Sequence, residues 1–425
     1  MNGGGASGGP AAGDAERNQG ARRRAPEGRV PFIRVPFIRA TGEPFEVGYQ
    51  HGSARAAALD AFLGDHLARV SRLTPAPVSL QELRPGLGAY GAAIAAAAPR
   101  LSEEIDGLAR GAGIPRELAV LLQVRREIIG YQRVPSRGSH GRVGGSAGSG
   151  DCTTYASLSA GPGGGPVLAQ TVDLNGDLDD QIAVLDVGLS GSGRRALVLS
   201  FGGLLGYLGV NSDGLAIGLN LVLGGDWRPG LPPYLAIRHL LDNAGCVADG
   251  VALLRTLPLA SSRSLTLCDA TTALTVEILG DTLRVIEGDN LVHTNHFLHP
   301  DLASQDQLNI FARNSSLLRL KAATAGLSDL AGMTPPAGVE EHFALLAQPP
   351  VCVADTGDIR REKTVAAVVL LPAQGELHLR PGDPSASATL AFRLRPDPQL
   401  PLHPGGTRPR PAPADPEEVT DERER

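Results

Sequence analysis

The stretch Ser149-Gly150-Asp151-Cys152-Thr153-Thr154-Tyr155 divides the chain into a mostly helical part before it and a mostly stranded part after it. A run with six glycines, residues 138–150, leads into it, and glycine gives a backbone unusual conformational freedom. Cys152 therefore stands at the first position of a strand, behind a loop able to expose the preceding peptide bond. This arrangement predicts a chain that cuts itself between Asp151 and Cys152, leaving Cys152 with a free amino group.

Composition restricts the class of protein. With 425 residues the chain has room for one or two domains, and 42% hydrophobic with 20% charged residues is typical of a soluble protein. A net charge of −6 argues against nucleic acid or an anionic membrane as partner. The cysteines are far apart and form no C-x-x-C pair, which favours a reduced, cytoplasmic compartment over a disulfide framework; they are Cys152, Cys246, Cys268 and Cys352. We find no secretory signal pattern and no apolar run long enough to span a membrane.

The sequence divides into four regions. Both ends have compositions typical of disorder, and the two inner regions carry the periodic patterns. We predict a disordered tail, a helical N-terminal region, a catalytic region and a second disordered tail, at residues 1–28, 29–151, 152–400 and 401–425.

Helical spacing predicts helices over residues 54–73 and 304–323, and one whose N-cap is Ser102. After Cys152, short apolar runs separated by Gly and Asn/Asp clusters predict hairpins. Hairpin meanders with helices grouped between them predict an α+β fold in which antiparallel sheets are covered by helical layers.

Four polar residues are candidates for the site around Cys152. Asp173 follows an apolar strand one hairpin length after Cys152, so antiparallel pairing would bring its carboxylate beside the thiol. Asn220 and Asn295 each stand at the end of an apolar strand, where an amide is able to donate to an oxyanion. Arg319 lies within a helical run. Each also has a purely structural interpretation: a turn aspartate, turn or capping amides, and a solvated surface charge.

His293 and His296 have the spacing H-x-x-H of a zinc site. No third ligand accompanies them in the sequence, so we predict no metal.

An ordered series of motifs resembles the acyl-coenzyme A:6-aminopenicillanic acid acyltransferase (isopenicillin-N acyltransferase-like) family of N-terminal-nucleophile hydrolases, over about residues 36–385. In chain order the motifs are Gly48-x-x-His51-Gly52, Pro99-x-Leu101-x-Glu103-Glu104-x-x-Gly107-Leu108-Ala109-x-Gly111-Ala112-Gly113, Asp151-Cys152-Thr153-Thr154, Gln170-Thr171-Val172-Asp173, Thr294-Asn295-His296 and Ser315-Ser316-x-x-Arg319. Asp151 stands where the family most often has glycine, Thr171 where it usually has asparagine, and Gln170 where bile-salt-hydrolase-like members keep an arginine.

The resemblance implies a four-layer αββα sandwich with a helical pro-region, and one thiol used twice. Cys152 would first cleave the bond to Asp151 and then carry an acyl group as a thioester. Asp173 would orient the new α-amine, Asn295 and Asn220 would donate to the oxyanion, and Arg319 would order the site or hold an anionic group.

The expected activity is therefore that of an N-terminal-cysteine amidohydrolase or acyl-CoA-dependent acyltransferase, working without a cofactor. Its partners would be small amides, or acyl-CoA and an amine, and its two fragments would form an αβ heterodimer. Two alternatives stay open: an uncleaved cysteine hydrolase whose thiol is activated by a histidine, and a non-catalytic binding protein on the same scaffold.

Overall fold

The computed structural model describes Met1, residues 33–131 and residues 152–394, with only the backbone of Tyr131. The tails predicted at residues 2–28 and 401–425, and Asp151 itself, lie outside the described residues. Ten helices are found in the described ranges: α1 Pro44–Gly64, α2 Val70–Leu73, α3 Leu80–Ala97, α4 Pro99–Ala112, α5 Arg116–Tyr131, α6 Pro233–Asn243, α7 Val247–Leu254, α8 Pro300–Ala303, α9 Ile310–Ala331 and α10 Val339–Leu346.

The strands form two sheets. They are β1 Phe37–Gly42, β2 Thr153–Ser157, β3 Val167–Leu174, β4 Ile182–Leu189, β5 Arg195–Phe201, β6 Leu208–Asn211, β7 Ala216–Asn220, β8 Arg263–Cys268, β9 Ala273–Leu279, β10 Thr282–Glu287, β11 Asn290–His293, β12 Lys363–Leu371, β13 Glu376–Pro381 and β14 Leu390–Arg393. The first sheet has the order β1-β4-β5-β6-β7-β8-β9-β10, and the second β11-β2-β3-β12-β13-β14. All neighbours are antiparallel except β1 and β4, which run parallel.

The two sheets stack face to face, and helices cover their outer faces. Gln170 on β3 crosses the interface, because its side chain donates to the Leu219 carbonyl and accepts from the Leu219 N–H on β7, both at 2.9 Å. Helix α6 packs on β5 and β6, and α9 and α10 pack on the second sheet. Every residue of β2, β4 and β8 is buried, as expected for strands covered on both faces. The predicted αββα sandwich is therefore confirmed.

Helices α1 and α4 approach until their backbones touch. A Cβ on Gly48 would lie 1.9 Å from the Glu104 carbonyl oxygen, and one on Gly107 would lie 2.0 Å from the Phe45 carbonyl oxygen. Gly52 and Gly111 face backbone atoms in the same way. Gly48, Gly52, Gly107 and Gly111 are therefore needed for helix packing, which brings the N-terminal region against the first sheet.

Three local expectations are wrong. The helix expected over residues 54–73 ends at Gly64, since His66–Arg69 turn left-handed with φ between 50° and 63°. The Arg69 guanidinium stabilises that turn by binding the carboxylates of Asp65 and Asp180.

Ser102 is no N-cap, because α4 already begins at Pro99 and Ser102 is a buried acceptor for Arg116 at 2.8 Å. Helix α9 begins at Ile310, not at residue 304, since the Asn309 side chain accepts from the N–H groups of Phe311 and Ala312. None of the described helices is long and apolar enough to cross a membrane.

Candidate active site

Cys152 lies directly before β2, with 3% of its surface exposed. Strands β2 and β3 pair with Thr153 opposite Thr171, which brings Cys152 beside Asp173. The Asp173 N–H donates to Sγ at 3.4 Å, and the thiol faces the Asp173 carbonyl oxygen at 3.7 Å. The hairpin expected from the sequence therefore does bring these two residues together.

The Asp173 carboxylate is held by two threonines. Thr364 Oγ1 on β12 donates to one oxygen at 2.6 Å, and Thr171 Oγ1 donates to the other at 3.2 Å. Thr171 Oγ1 in turn accepts from the Thr153 N–H at 3.2 Å. The residue that replaces the usual asparagine thus connects the strand of Cys152 to the carboxylate.

Arg319 joins the remaining candidates to Cys152. It is fully buried on α9, and its guanidinium donates to the Cys152 carbonyl at 2.8 Å and to Asn295 Oδ1 at 2.8 Å. Asn220 Nδ2 donates to the same Cys152 carbonyl at 2.9 Å. The surface-charge interpretation of Arg319 is therefore wrong, and all five described candidates lie in one network.

The two amides do not point into open space. Asn295 Nδ2 donates to the Leu221 carbonyl, and Asn220 Nδ2 donates to the Cys152 carbonyl, both at 2.9 Å. Their predicted role as oxyanion donors stays a prediction, because in this structure main-chain carbonyls of the protein accept their hydrogen bonds.

A buried contact between His293 and Glu277 fixes the turn that carries Asn295. His293 Nε2 lies 2.8 Å from the Glu277 carboxylate, and its Nδ1 lies 2.7 Å from the Thr294 carbonyl. The Asn295 N–H donates to Ser316 Oγ on α9, which also lies 2.8 Å from His296 Nδ1. Both histidines therefore have protein partners, and the described residues contain no cluster of three potential metal-ligating side chains.

The thiol of Cys152 is held neutral in the intact chain. Burial, followed by the negative charge of Asp173, raises its pKa to about 12. Apart from Asp173, its contact is the Tyr207 hydroxyl at 3.9 Å, and no histidine among the described residues reaches Sγ. A thiol with such a pKa needs a base to become nucleophilic near neutral pH.

One cavity lies at Cys152, and a second, larger cavity adjoins it. The smaller, of about 270 Å³, is lined by Arg126, Cys152, Asp173, Leu174, Tyr207, Leu219, Leu221, Tyr234 and Arg263. The larger, of about 470 Å³, shares Arg126, Leu174, Tyr207 and Tyr234 with it.

Sequence reasoning missed Tyr207, Tyr234 and the three arginines of these walls, Arg125, Arg126 and Arg263. Tyr207 and Tyr234 stack with ring centroids 5.2 Å apart. Tyr207 lies in a loop, Tyr234 in the first turn of α6, Arg263 at the start of β8, and the other two arginines inside α5. No shared local pattern marks them, apart from the glycines at 202, 203 and 206 around the Tyr207 loop.

The described residues form an αββα sandwich in which Cys152 is buried directly before strand β2. Residues 160–386 match the sequence model of the family "Acyl-coenzyme A:6-aminopenicillanic acid acyl-transferase". This match covers more than half of the chain, and the chain belongs to that family. The resemblance drawn from the sequence motifs is thereby confirmed.

Solved structures with a similar fold include penicillin V acylase from Agrobacterium tumefaciens, at 15% identity and a TM-score of 0.42, covering 57% of this chain and 86% of that one. A mutant of conjugated bile acid hydrolase from Clostridium perfringens matches at 11% identity and a TM-score of 0.38, covering 58% of this chain and 97% of that one.

Proposed function

We propose that the protein is a self-processing N-terminal-cysteine amidohydrolase or acyltransferase. The observation that carries this proposal is the environment of Sγ: a buried thiol whose pKa is raised to about 12, beside a carboxylate and without a histidine base among the described residues. A free α-amine on Cys152 would supply the missing base, since its ordinary pKa is about 7.7–8.0. Membership of the family supports the same chemistry.

Processing would proceed in two steps. Sγ attacks the carbonyl carbon of Asp151, the C–N bond to Cys152 breaks, the amine takes up a proton, and a thioester forms. Water then hydrolyses the thioester, which leaves a carboxylic acid on Asp151 and a free thiol and amine on Cys152. The Cys152 carbonyl, held by Asn220 and Arg319, keeps the residue in place throughout.

Turnover would use the same atoms. The α-amine takes the proton from Sγ, the thiolate attacks the acyl carbon of the substrate, and the leaving amine or coenzyme A departs. Asp173 orients the amine, and the thioester passes its acyl group to water or to an amine. Donors to the oxyanion typically contribute about 100- to 1000-fold in rate, and we assign this role to Asn295 with Asn220.

The two alternatives have less support. An uncleaved hydrolase needs a histidine at the thiol, and the contacts of Sγ within residues 33–131 and 152–394 include none. A non-catalytic scaffold has no need for the connected buried network of Cys152, Asn295 and Arg319.

Mass spectrometry of the intact purified protein tests the proposal. We expect two fragments for the wild type, the larger beginning at Cys152, and one full-length chain without amidase activity for Cys152→Ala. Cys268→Ala is the matched control, since Cys268 is also buried and also has its thiol pKa raised to about 12 by burial, but lies on β8. A Cys152→Ala chain that is still cut would refute self-processing by this thiol.

A further inference from the structure

The larger of the two cavities is lined by an unusual excess of hydrogen-bond donors. Arg126 lies on its wall, half-buried, and makes no hydrogen bond or ion pair with any described residue. Arg125 and Asn175 also line this cavity, and Nη2 of Arg125 and Nδ2 of Asn175 are buried without a hydrogen-bond partner. Asn175 as a whole is 2% exposed. Unpartnered buried donors are costly, so two of them beside one cavity, together with the half-buried Arg126 that no described residue pairs, are a sign of a ligand.

Acidic groups do not balance these donors. The larger cavity is lined by no aspartate or glutamate from the described part of the chain. Burial, followed by the charges of Arg126 and Arg69, lowers the pKa of Arg125 to about 9, as expected where positive charge lacks a counterion.

Arg263, unlike Arg126, is paired with a carboxylate of the protein. It lines the smaller cavity, but its guanidinium lies 3.3 Å from the Glu127 carboxylate and packs over the ring of Trp227 at 4.9 Å. The charge available to a ligand therefore belongs to Arg126, which lines both cavities.

The rest of the larger cavity is apolar and aromatic. Its lining includes Phe62, Leu122, Leu178, Phe201, Tyr207 and Tyr234. An aromatic or branched aliphatic group of a ligand fits such a wall. The donor residues Arg126, Arg125 and Asn175 line the same cavity.

We infer that this cavity binds an anionic oxygen group of the substrate, a carboxylate or a phosphate, with Arg126 as the principal cation and Asn175 and Arg125 as further donors. The inference deepens the proposed function and rests on it for the reacting bond at Cys152. The substrate would carry this anionic group next to an apolar part. The three donors would bind the anionic group while the thiol of Cys152 reacts with the acyl group of the same substrate.

The test compares two alkylating reagents of similar size on the full-length protein, iodoacetate and iodoacetamide. Peptide mass spectrometry measures the rate of modification of Cys152 by each at low ionic strength. We expect Arg126→Gln to lower the iodoacetate-to-iodoacetamide rate ratio by about tenfold, because a cationic cavity concentrates anions. Arg126→Met should do the same, and either variant decides the question if the other folds poorly.

Arg255→Gln is the matched control, since Arg255 is an exposed helix-end arginine away from the cavity, and its ratio should equal that of the wild type. An unchanged ratio in the folded Arg126 variants would overturn the inference.

Protection experiments identify the source of the anion. Phenylacetylglycine, its neutral glycinamide and inorganic phosphate are each tested for slowing the reaction of Cys152 with iodoacetamide. Protection by the first points to a substrate carboxylate, and protection by phosphate points to a coenzyme A or phosphate ester. No arm needs amide turnover or chain cleavage, so failure here is distinct from failure of the proposed function.

Discussion

The reactivity of a single sulfur atom depends on which group takes its proton. In an intact chain the thiol of Cys152 has a pKa of about 12, so its alkylation rate should rise about tenfold per pH unit through pH 10 without levelling. In a chain cut before Cys152, the α-amine becomes the adjacent base and titrates at about 7.7–8.0. We therefore expect the rate of Cys152 modification by iodoacetamide, measured from pH 6 to 10, to bend near pH 8.

Asp173→Asn provides the internal check on that profile. The Asp173 charge raises the pKa of the thiol in the intact chain, so removing it should lower that pKa and speed alkylation of Cys152 in the uncut chain. Processing should nevertheless slow, since the carboxylate that orients the amine is gone. A wild-type rate that climbs steadily through pH 10 would contradict the assignment of the amine as base.

At the scale of helices, packing of α1 on α4 depends on glycines that no side chain is able to replace. Gly107→Ala would place a methyl group 2.0 Å from the Phe45 carbonyl oxygen, so the helices would have to separate. We expect a loss of at least about 3 kcal/mol in the free energy of unfolding, measured by urea denaturation.

Gly88→Ala on α3 is the opposite case. Its new Cβ would meet nothing within 4 Å, and alanine has the higher helix propensity. The free energy of unfolding should rise by about 0.4–1 kcal/mol. Equal effects of the two substitutions would show that the contact between α1 and α4 does not determine stability.

Strand and helix periodicity was enough to predict most elements, because burial on one or both faces leaves a regular pattern. The sequence pattern predicts a strand over residues 182–189 and a helix over residues 339–346, and these are the bounds of β4 and α10. Failures occurred where distant contacts decide, as at Arg69, whose partner Asp180 is more than a hundred residues away. At the site, hairpin pairing made Asp173 predictable, whereas Arg126 reaches the cavity only through tertiary packing of α5.

For the whole molecule, the decisive fact is that residues on both sides of Cys152 build one structure. Strand β1 pairs along its length with β4, and Arg238 on α6 forms a fully buried ion pair with Glu104 on α4, at 2.9 Å. Helix α5 supplies Arg126, Leu122 and Gln123 to the cavity walls. The part before Cys152 is therefore a constituent of the proposed active site.

We accordingly predict that processed fragments stay together and separate only on denaturation. Size-exclusion chromatography in native buffer should give one peak containing both fragments, as read on a denaturing gel, while strong denaturant should resolve them. The pairing of β1 with β4 and the buried contacts of α4 with α6 explain why, since separation would expose them to water. A protease site inserted within residues 132–150 of Cys152→Ala gives the same test on a chain that does not cut itself. Fragments that elute separately without denaturant would refute the heterodimer.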